Sequence, residues 1–350
     1  MAALTLSTLS LLPRIAPSLS FKSSQRALRR TAGVYMPEGP ECTVHAERLH
    51  AACSGTQLVG AEILSGRYKD NAPPAEWDEL QRGLPAIVDA VESKGKFIWW
   101  SLRPLDVEMQ GHHLTLWSTL GMTGMWSATP TAHARIGLDI RGGDGDEWRL
   151  FYNDQRNFGT ITACSDDEKL AAKLDSLGPS WLAEGGLPLE KFMAVVAKQC
   201  KAKRSANVAV AKFLMDQGKT AGIGNYILSE TLYLSRVYPW ATCGALDDAA
   251  WEAVHAAATD VIGRSYAAQS EMAREAARRS QPRRSSGGGG AAALSRTYGT
   301  LFSFELYAYR QQRCGLEGLA VRQDKGPHGR SVFWVPQRQT RGRPEGEAAS

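Results

Sequence analysis

Apolar residues recur at helical spacing just before residue 54: Cys42, Ala46, Leu49 and Cys53 fall at i, i+4, i+7 and i+11 and share one face. Beyond them the apolar runs become short and are broken by Gly/Asp turn signals, notably Gly142-Gly143-Asp144-Gly145. This predicts strands at 58–64, 87–91, 97–102, 114–117, 136–140, 148–152 and 160–164. Many short strands at such spacing read as a sandwich or barrel. Helical periodicity returns at about residue 166, with predicted helices at 166–175, 189–199, 207–215, 226–234 and 247–268. In the last, Trp251, Val254, Ala258, Val261 and Ile262 share one face behind an Asp247 or Asp248 cap. Residues 278–296 are a low-complexity Arg/Ser/Gly/Ala stretch and are expected to be disordered. A β pattern then resumes at 304–309, 318–322 and 331–335 and predicts a terminal hairpin. There is no internal repeat and no run of about 18 apolar residues long enough to span a membrane as a helix.

Composition sharpens this division. The 350 residues suffice for one large domain or two ordinary ones with a tail. The 41 Lys+Arg and 36 Asp+Glu give a formal charge of +5. Residues 1–36 hold five of the basic residues and no acid. The rest is neutral overall but uneven: residues 264–350 carry 15 basic and 7 acidic side chains, and residues 37–263 sum to −8. A basic C-terminal part on an acidic body points to a polyanion partner at that end. The Ser/Ala/Leu-rich, Arg-bearing, acid-free first 36 residues have the composition of an organelle transit peptide, so a chloroplast or mitochondrion is expected. If Met36 is the true start, the expected compartment is the nucleus. The six cysteines (Cys42, Cys53, Cys164, Cys200, Cys243, Cys314) form no CxxC pair, which argues against a structural zinc site and against a disulfide framework.

The first candidate chemistry lies at Met36, where the sequence reads MPEGPE. By itself this is a rigid turn built on two prolines. If Pro37 becomes the first residue, it presents a secondary amine whose pKa, about 7.7–8 for an α-amino group, leaves a useful neutral fraction. Such an amine attacks an aldehyde-like carbon and yields an iminium, an electron sink for elimination. The neighbouring Glu38 is placed to act as general acid or base. With any residue ahead of it, Pro37 is an amide nitrogen and this chemistry is lost.

Four more segments follow in order: KGKFIWW; WSTLGMTGMW paired with YNDQRNFG; LMDQGKTAGIGNYILSE; and FELYAYRQQRCGLEGLAVRQDKGPHGRSVFWVPQRQ. With MPEGPE they make residues 36–339 resemble the formamidopyrimidine-DNA glycosylase/endonuclease VIII family of base-excision repair enzymes. Gly39 resembles the endonuclease VIII branch, since the 8-oxoguanine branch usually has Leu there.

The resemblance implies an α+β, two-domain fold. Residues 37–165 would form an antiparallel β-sandwich with a flanking helix, and 166–277 a helical domain with a helix-two-turn-helix element. An insertion at 278–302, a β-hairpin finger at 303–340 and a tail at 341–350 would follow. Lys96 would contact a DNA phosphate and assist the lyase step. Met122, Arg156 and Phe158 would fill the hole left by a flipped base, with Arg156 facing the orphaned partner, although DQRNFG lacks the proline and second arginine of the family's loop. Gly222 and Gly224 would let the backbone approach a phosphate, with Asn225 adding donors. Lys212 is assigned to a phosphate-binding lysine whose family position falls one residue earlier, and Gly218 stands where a lysine usually follows DQ. His133, Glu41 and Arg330 match further DNA-contacting or finger positions. Of the four finger cysteines only Cys314 is present, because Gln311, Val335 and Arg338 occupy the others. One cysteine cannot hold a tetrahedral zinc, so a zincless finger is expected, shaped by Phe333 and Trp334.

The expected activity is that of a DNA glycosylase with abasic-site lyase activity. It would act as a monomer, without metal or cofactor, on double-stranded DNA carrying oxidised bases or abasic sites. The lesion-contacting loop is expected near 201–207 or within 263–303. A chain that keeps its leader would instead be a non-catalytic reader of damaged DNA. An RNA-binding or ribosome-associated protein would use the helix-two-turn-helix alone and would leave MPEGPE and the finger without a role.

Overall fold

The computed structural model describes residues 36–106, 113–280 and 305–346. The expected leader before residue 36, most of the 278–302 insertion and the last residues of the tail lie outside the described residues.

Helix α1 (Gly39–Cys53) starts at Glu38 through a capping box in which Glu38 and Glu41 bond each other's backbone amides. Strand β1 (Gln57–Ile63) and the short helices α2 (Arg67–Asp70) and α3 (Trp77–Arg82) follow. Then come β2 (Ala86–Lys94), β3 (Phe97–Pro104), β4 (Leu114–Thr119), β5 (Gly124–Ser127), β6 (Ala134–Arg141), β7 (Glu147–Asp154) and β8 (Thr160–Cys164). The strands are antiparallel throughout, in the order β5-β7-β6-β1-β2-β3-β4-β8. β1 meets β2 at only two registered pairs, Gln57–Ile87 and Leu58–Ala86. At that narrow seam the sheet folds into a sandwich. Inward residues of both halves share one core, Leu58, Ile136, Leu138 and Leu150 from one and Val88, Trp100, Leu116 and Ile161 from the other. Apolar burial of this extent is the main favourable term holding the layers together. α1 lies against the sandwich, with Cys42, Ala46, Leu49 and Cys53 in that core, and His45 Nε2 accepts the Trp126 amide at 2.7 Å.

The second domain contains α4 (Asp167–Ser176), α5 (Leu189–Cys200), α6 (Lys203–Ala206), α7 (Val210–Met215), α8 (Asn225–Ser235) and α9 (Asp248–Ser280). The hairpin β9 (Arg322–Lys325) and β10 (Ser331–Trp334) closes it. Its core gathers Phe192, Phe213, Ile227, Leu228, Trp251 and Val254, and the hairpin's Phe333 packs into it.

Several elements depart from the sequence reading. β5, α2 and α3 are too short to leave a periodic signature. The helix expected over 207–215 begins only at Val210, because Ala209 is extended and the Val210 amide bonds Ala241 O. α9 runs past residue 268 to Ser280, where its later turns pack Ala273 against Val44 of α1, so residues 278–280 are helical rather than disordered. No strand forms over 305–309. The amides of Tyr307, Ala308 and Tyr309 all donate to the buried Glu230 carboxylate, at 2.7, 2.8 and 2.6 Å, and are lost to a ladder. The strand expected over 318–322 starts at Arg322. The residues before it close a turn in which the Cys314 amide bonds Leu319 O and the Val321 amide bonds Gln312 O.

Candidate active site

Between the two domains lies a cleft of about 1220 Å³ whose walls include Pro37, Glu38, Lys96, Met122, Phe158, Asn225 and Arg330. Pro37 is buried and follows Met36, whose sulfur lies 3.7 Å from the Tyr309 hydroxyl. Glu38 is 4% exposed. Its carboxylate sits at the N-terminus of α8, accepting the Tyr226 amide at 2.9 Å and the Ile227 amide at 3.2 Å. An acid there is held by the free N–H groups and the helix dipole. Burial nevertheless raises its pKa to about 7, against the opposing pull of Lys96 and those two amides. Lys96 stands in the tight turn between β2 and β3. Burial lowers its pKa, while Glu38 supports its charge.

The glycines of the 216–224 turns serve this carboxylate. A Cβ on Gly224 would stand 2.5 Å from Glu38 Oε2. The Gly39 amide bonds Gly222 O at 2.9 Å, and a Cβ on Gly39 would strike that oxygen at 2.8 Å. The expectation that Gly222 and Gly224 clear the way for a DNA phosphate is therefore corrected. They bring the α1 start and the α8 start together, and the anion on the first α8 amides is Glu38.

Glu41 is likewise corrected. It is 2% exposed and accepts from the Glu38 amide, the Tyr226 hydroxyl, Ser265 Oγ and Gln269 Nε2, so it faces the inter-domain seam and not DNA. Burial raises its pKa too.

Met122 and Phe158 stand on two adjoining loops at one lip of the cleft. Phe158 is 61% exposed, an unusual place for a large apolar side chain. Arg156 reaches across to Met122, Nη1 to Sδ at 3.5 Å. Asp154 ties the loops, accepting Thr123 Oγ1 at 2.6 Å and the Gly159 amide at 2.8 Å. On the opposite wall Asn225 holds the β9–β10 hairpin. Its Nδ2 donates to Ser331 O at 2.8 Å and its Oδ1 pairs with His328 Nε2 at 3.0 Å. Arg330, beside them, is exposed in the hairpin turn. His133, in the turn before β6, and the exposed Lys212 of α7 do not line the cleft.

Behind the hairpin, Cys314, Val335, Ala308 and Tyr233 form a small apolar cluster, and the Arg338 guanidinium lies 4.5 Å from the Tyr233 ring. Among the described residues no three His, Cys, Asp or Glu side chains converge as metal ligands.

Sequence reasoning missed Tyr226, Ser265, Gln269, Asp154, His328 and Glu230. Only Glu230 left a signal, as the one charged residue in the helical stretch Asn225–Ser235.

The family model for the formamidopyrimidine-DNA glycosylase N-terminal domain matches residues 36–161, and that for its H2TH domain matches residues 185–275. A formamidopyrimidine-DNA glycosylase of Chloroflexus aggregans is 30% identical over 245 residues, covering 68% of this chain and 80% of that protein. The chain belongs to the formamidopyrimidine-DNA glycosylase family. A Rhodospirillum rubrum relative is also 30% identical, over 251 residues, covering 69% and 80%. The fold is similar to that of a Lactococcus lactis Fpg solved with DNA containing an abasic site, with a TM-score of 0.63 at 20% identity, covering 87% of this chain and 99% of that one. In this glycosylase-family chain the two matched segments bracket the cleft. The first carries Pro37, Glu38, Lys96 and the lip loops, and the second carries the α8 start. The hairpin with Arg330 lies outside both.

Proposed function

We propose that this chain is a base-excision-repair DNA glycosylase with abasic-site lyase activity, of the endonuclease VIII-like branch, acting on oxidised bases in duplex DNA. The observation that carries the reading is Glu38: a buried carboxyl with a pKa of about 7, beside Pro37 and Lys96 in the inter-domain cleft. An acid that is half protonated near neutrality can both give and take a proton. Lys96 and Arg330 hold the phosphates around the lesion. Met122, Arg156 and Phe158 enter the space left as the base flips out. The freed Pro37 amine attacks C1′ while Glu38 protonates the ring oxygen and the base departs. The resulting Schiff base then loses the 3′ phosphate by β-elimination and the 5′ phosphate by δ-elimination. The hairpin keeps its shape through the Cys314–Val335 cluster and the Arg338–Tyr233 stack, with no zinc. The chain acts as a monomer in a chloroplast or mitochondrion.

The test is intact-mass and N-terminal analysis of the protein from its own cells, with borohydride trapping on abasic DNA from the same sample. A chain beginning at Pro37 that cross-links is expected, and acetylating that terminus should abolish the cross-link. Trapping that survives acetylation overturns the amine mechanism. Met36 ahead of Pro37 favours one second reading: a chain that keeps it binds damaged DNA and does not cleave.

A further inference from the structure

Where the C-terminal end of α8 meets the chain that follows β10, a hollow of about 310 Å³ is walled by Arg236, Arg338, Arg341, Gln337, Thr340 and Glu317. None of these lines the catalytic cleft.

Main-chain pairing builds the hollow. The Arg341 amide bonds Arg236 O, the Tyr238 amide bonds Arg341 O, and Val237 bridges Arg341 in parallel, so two arginines 105 positions apart in sequence are held side by side. The fully buried Gln339 locks the loop, accepting the Val335 amide and donating to Val237 O. Arg338 is fixed on Tyr233 and paired with Glu317. Arg236 and Arg341 are exposed and have no acidic partner among the described residues.

Arg236 is the residue that local rules do not explain. It caps α8 at φ +62°, the left-handed region where helix ends favour Gly or Asn. A helix C-terminus attracts one cation, but it does not account for Arg341 and Arg338 being gathered beside it. Planar guanidinium forks match phosphate oxygens in pairs. The line continues with Arg343, which lies 4.9 Å from the Tyr238 ring and 5.2 Å from the Trp334 ring, along the basic C-terminal part of the chain. A row of guanidiniums suits a polymer of phosphates better than a single ion.

We propose that this hollow binds a backbone phosphate of a nucleic acid strand outside the catalytic cleft, in the flank of the duplex being repaired. The inference rests on the DNA-repair reading above.

The test uses the full chain with Arg236→Asn and Arg341→Gln together, the asparagine being chosen because it tolerates the left-handed backbone. Two duplexes carry the same abasic-site analogue, one of about 12 and one of about 30 base pairs, and affinity is followed against salt. Each phosphate contact contributes about 0.9 to the log–log salt slope. On the long duplex the slope should become shallower by about one to two, while the short duplex and single-turnover cleavage stay unchanged. Unchanged slopes on both duplexes overturn this inference alone, and so does an equal loss on both, which would place the arginines in the lesion footprint. A response of the hollow to inorganic phosphate without any change in the long-duplex slope makes it a free-ion site and also overturns it. A natural chain that fails to bind the short duplex overturns the repair reading and this inference with it.

Discussion

Glu38 and Gly224 are a matched pair, because the carboxylate occupies the volume that any side chain at 224 would need. Gly224→Ala should displace the carboxyl from the Tyr226 and Ile227 amides and lower single-turnover base release on the order of 100-fold, the usual cost of a misplacement of about 1 Å. DNA affinity should change little, and kinetics set beside binding on one preparation check this. Glu38 also sets a pH dependence. Its carboxyl titrates near 4.5 in the unfolded chain and near 7 in the folded one. The stability it lends is full below pH 4.5 and is lost as pH rises through 7. Glu38→Gln should therefore gain stability relative to the natural chain across that window, on the order of 3 kcal/mol, as read by urea unfolding at several pH values. The motif MPEGPE made Glu38 legible in the sequence. Tyr226, which holds it, and Ser265 and Gln269, which hold Glu41, were not, because residues with one hydroxyl or amide become significant only when the fold brings distant turns together.

The lip loops are an element-scale device. Asp154 fastens both loops, and Phe158 is largely exposed in the free protein. Phe158→Ala should leave thermal unfolding within about 0.5 kcal/mol of the natural chain yet weaken binding to abasic duplex, checked by calorimetry and titration. Glu230 is the opposite case, a buried carboxylate serving three amides of the segment that leads to the hairpin. Glu230→Ala strands those donors and should cost about 3 kcal/mol or more, with loss of hairpin protection in hydrogen exchange. Long strands and helices could be read from periodicity alone, since burial of one face imposes it. The segments 305–310 and 318–322 could not. Their apolar residues serve turns and a carboxylate nest, and apolar content without a partner strand is no signal of pairing.

The two domains meet through polar groups as well as apolar ones. Glu41 collects donors from α1, α8 and α9, and α9 returns over α1 to pack Ala273 on Val44. A buried charge of this kind is costly to leave half-partnered. The intact chain should melt in one calorimetric transition, and Gln269→Ala with Ser265→Ala should lower its midpoint or split it in two. This coupling was invisible in the sequence because its members lie more than 180 positions apart. The position of Glu38 carries a wider consequence. The acid comes from one half of the chain and the amides that hold it come from the other, so catalysis behaves as a logical AND of two folding events. A polypeptide cut between β8 and α4 would give two inert fragments, and activity regained on mixing would count reunited molecules one by one.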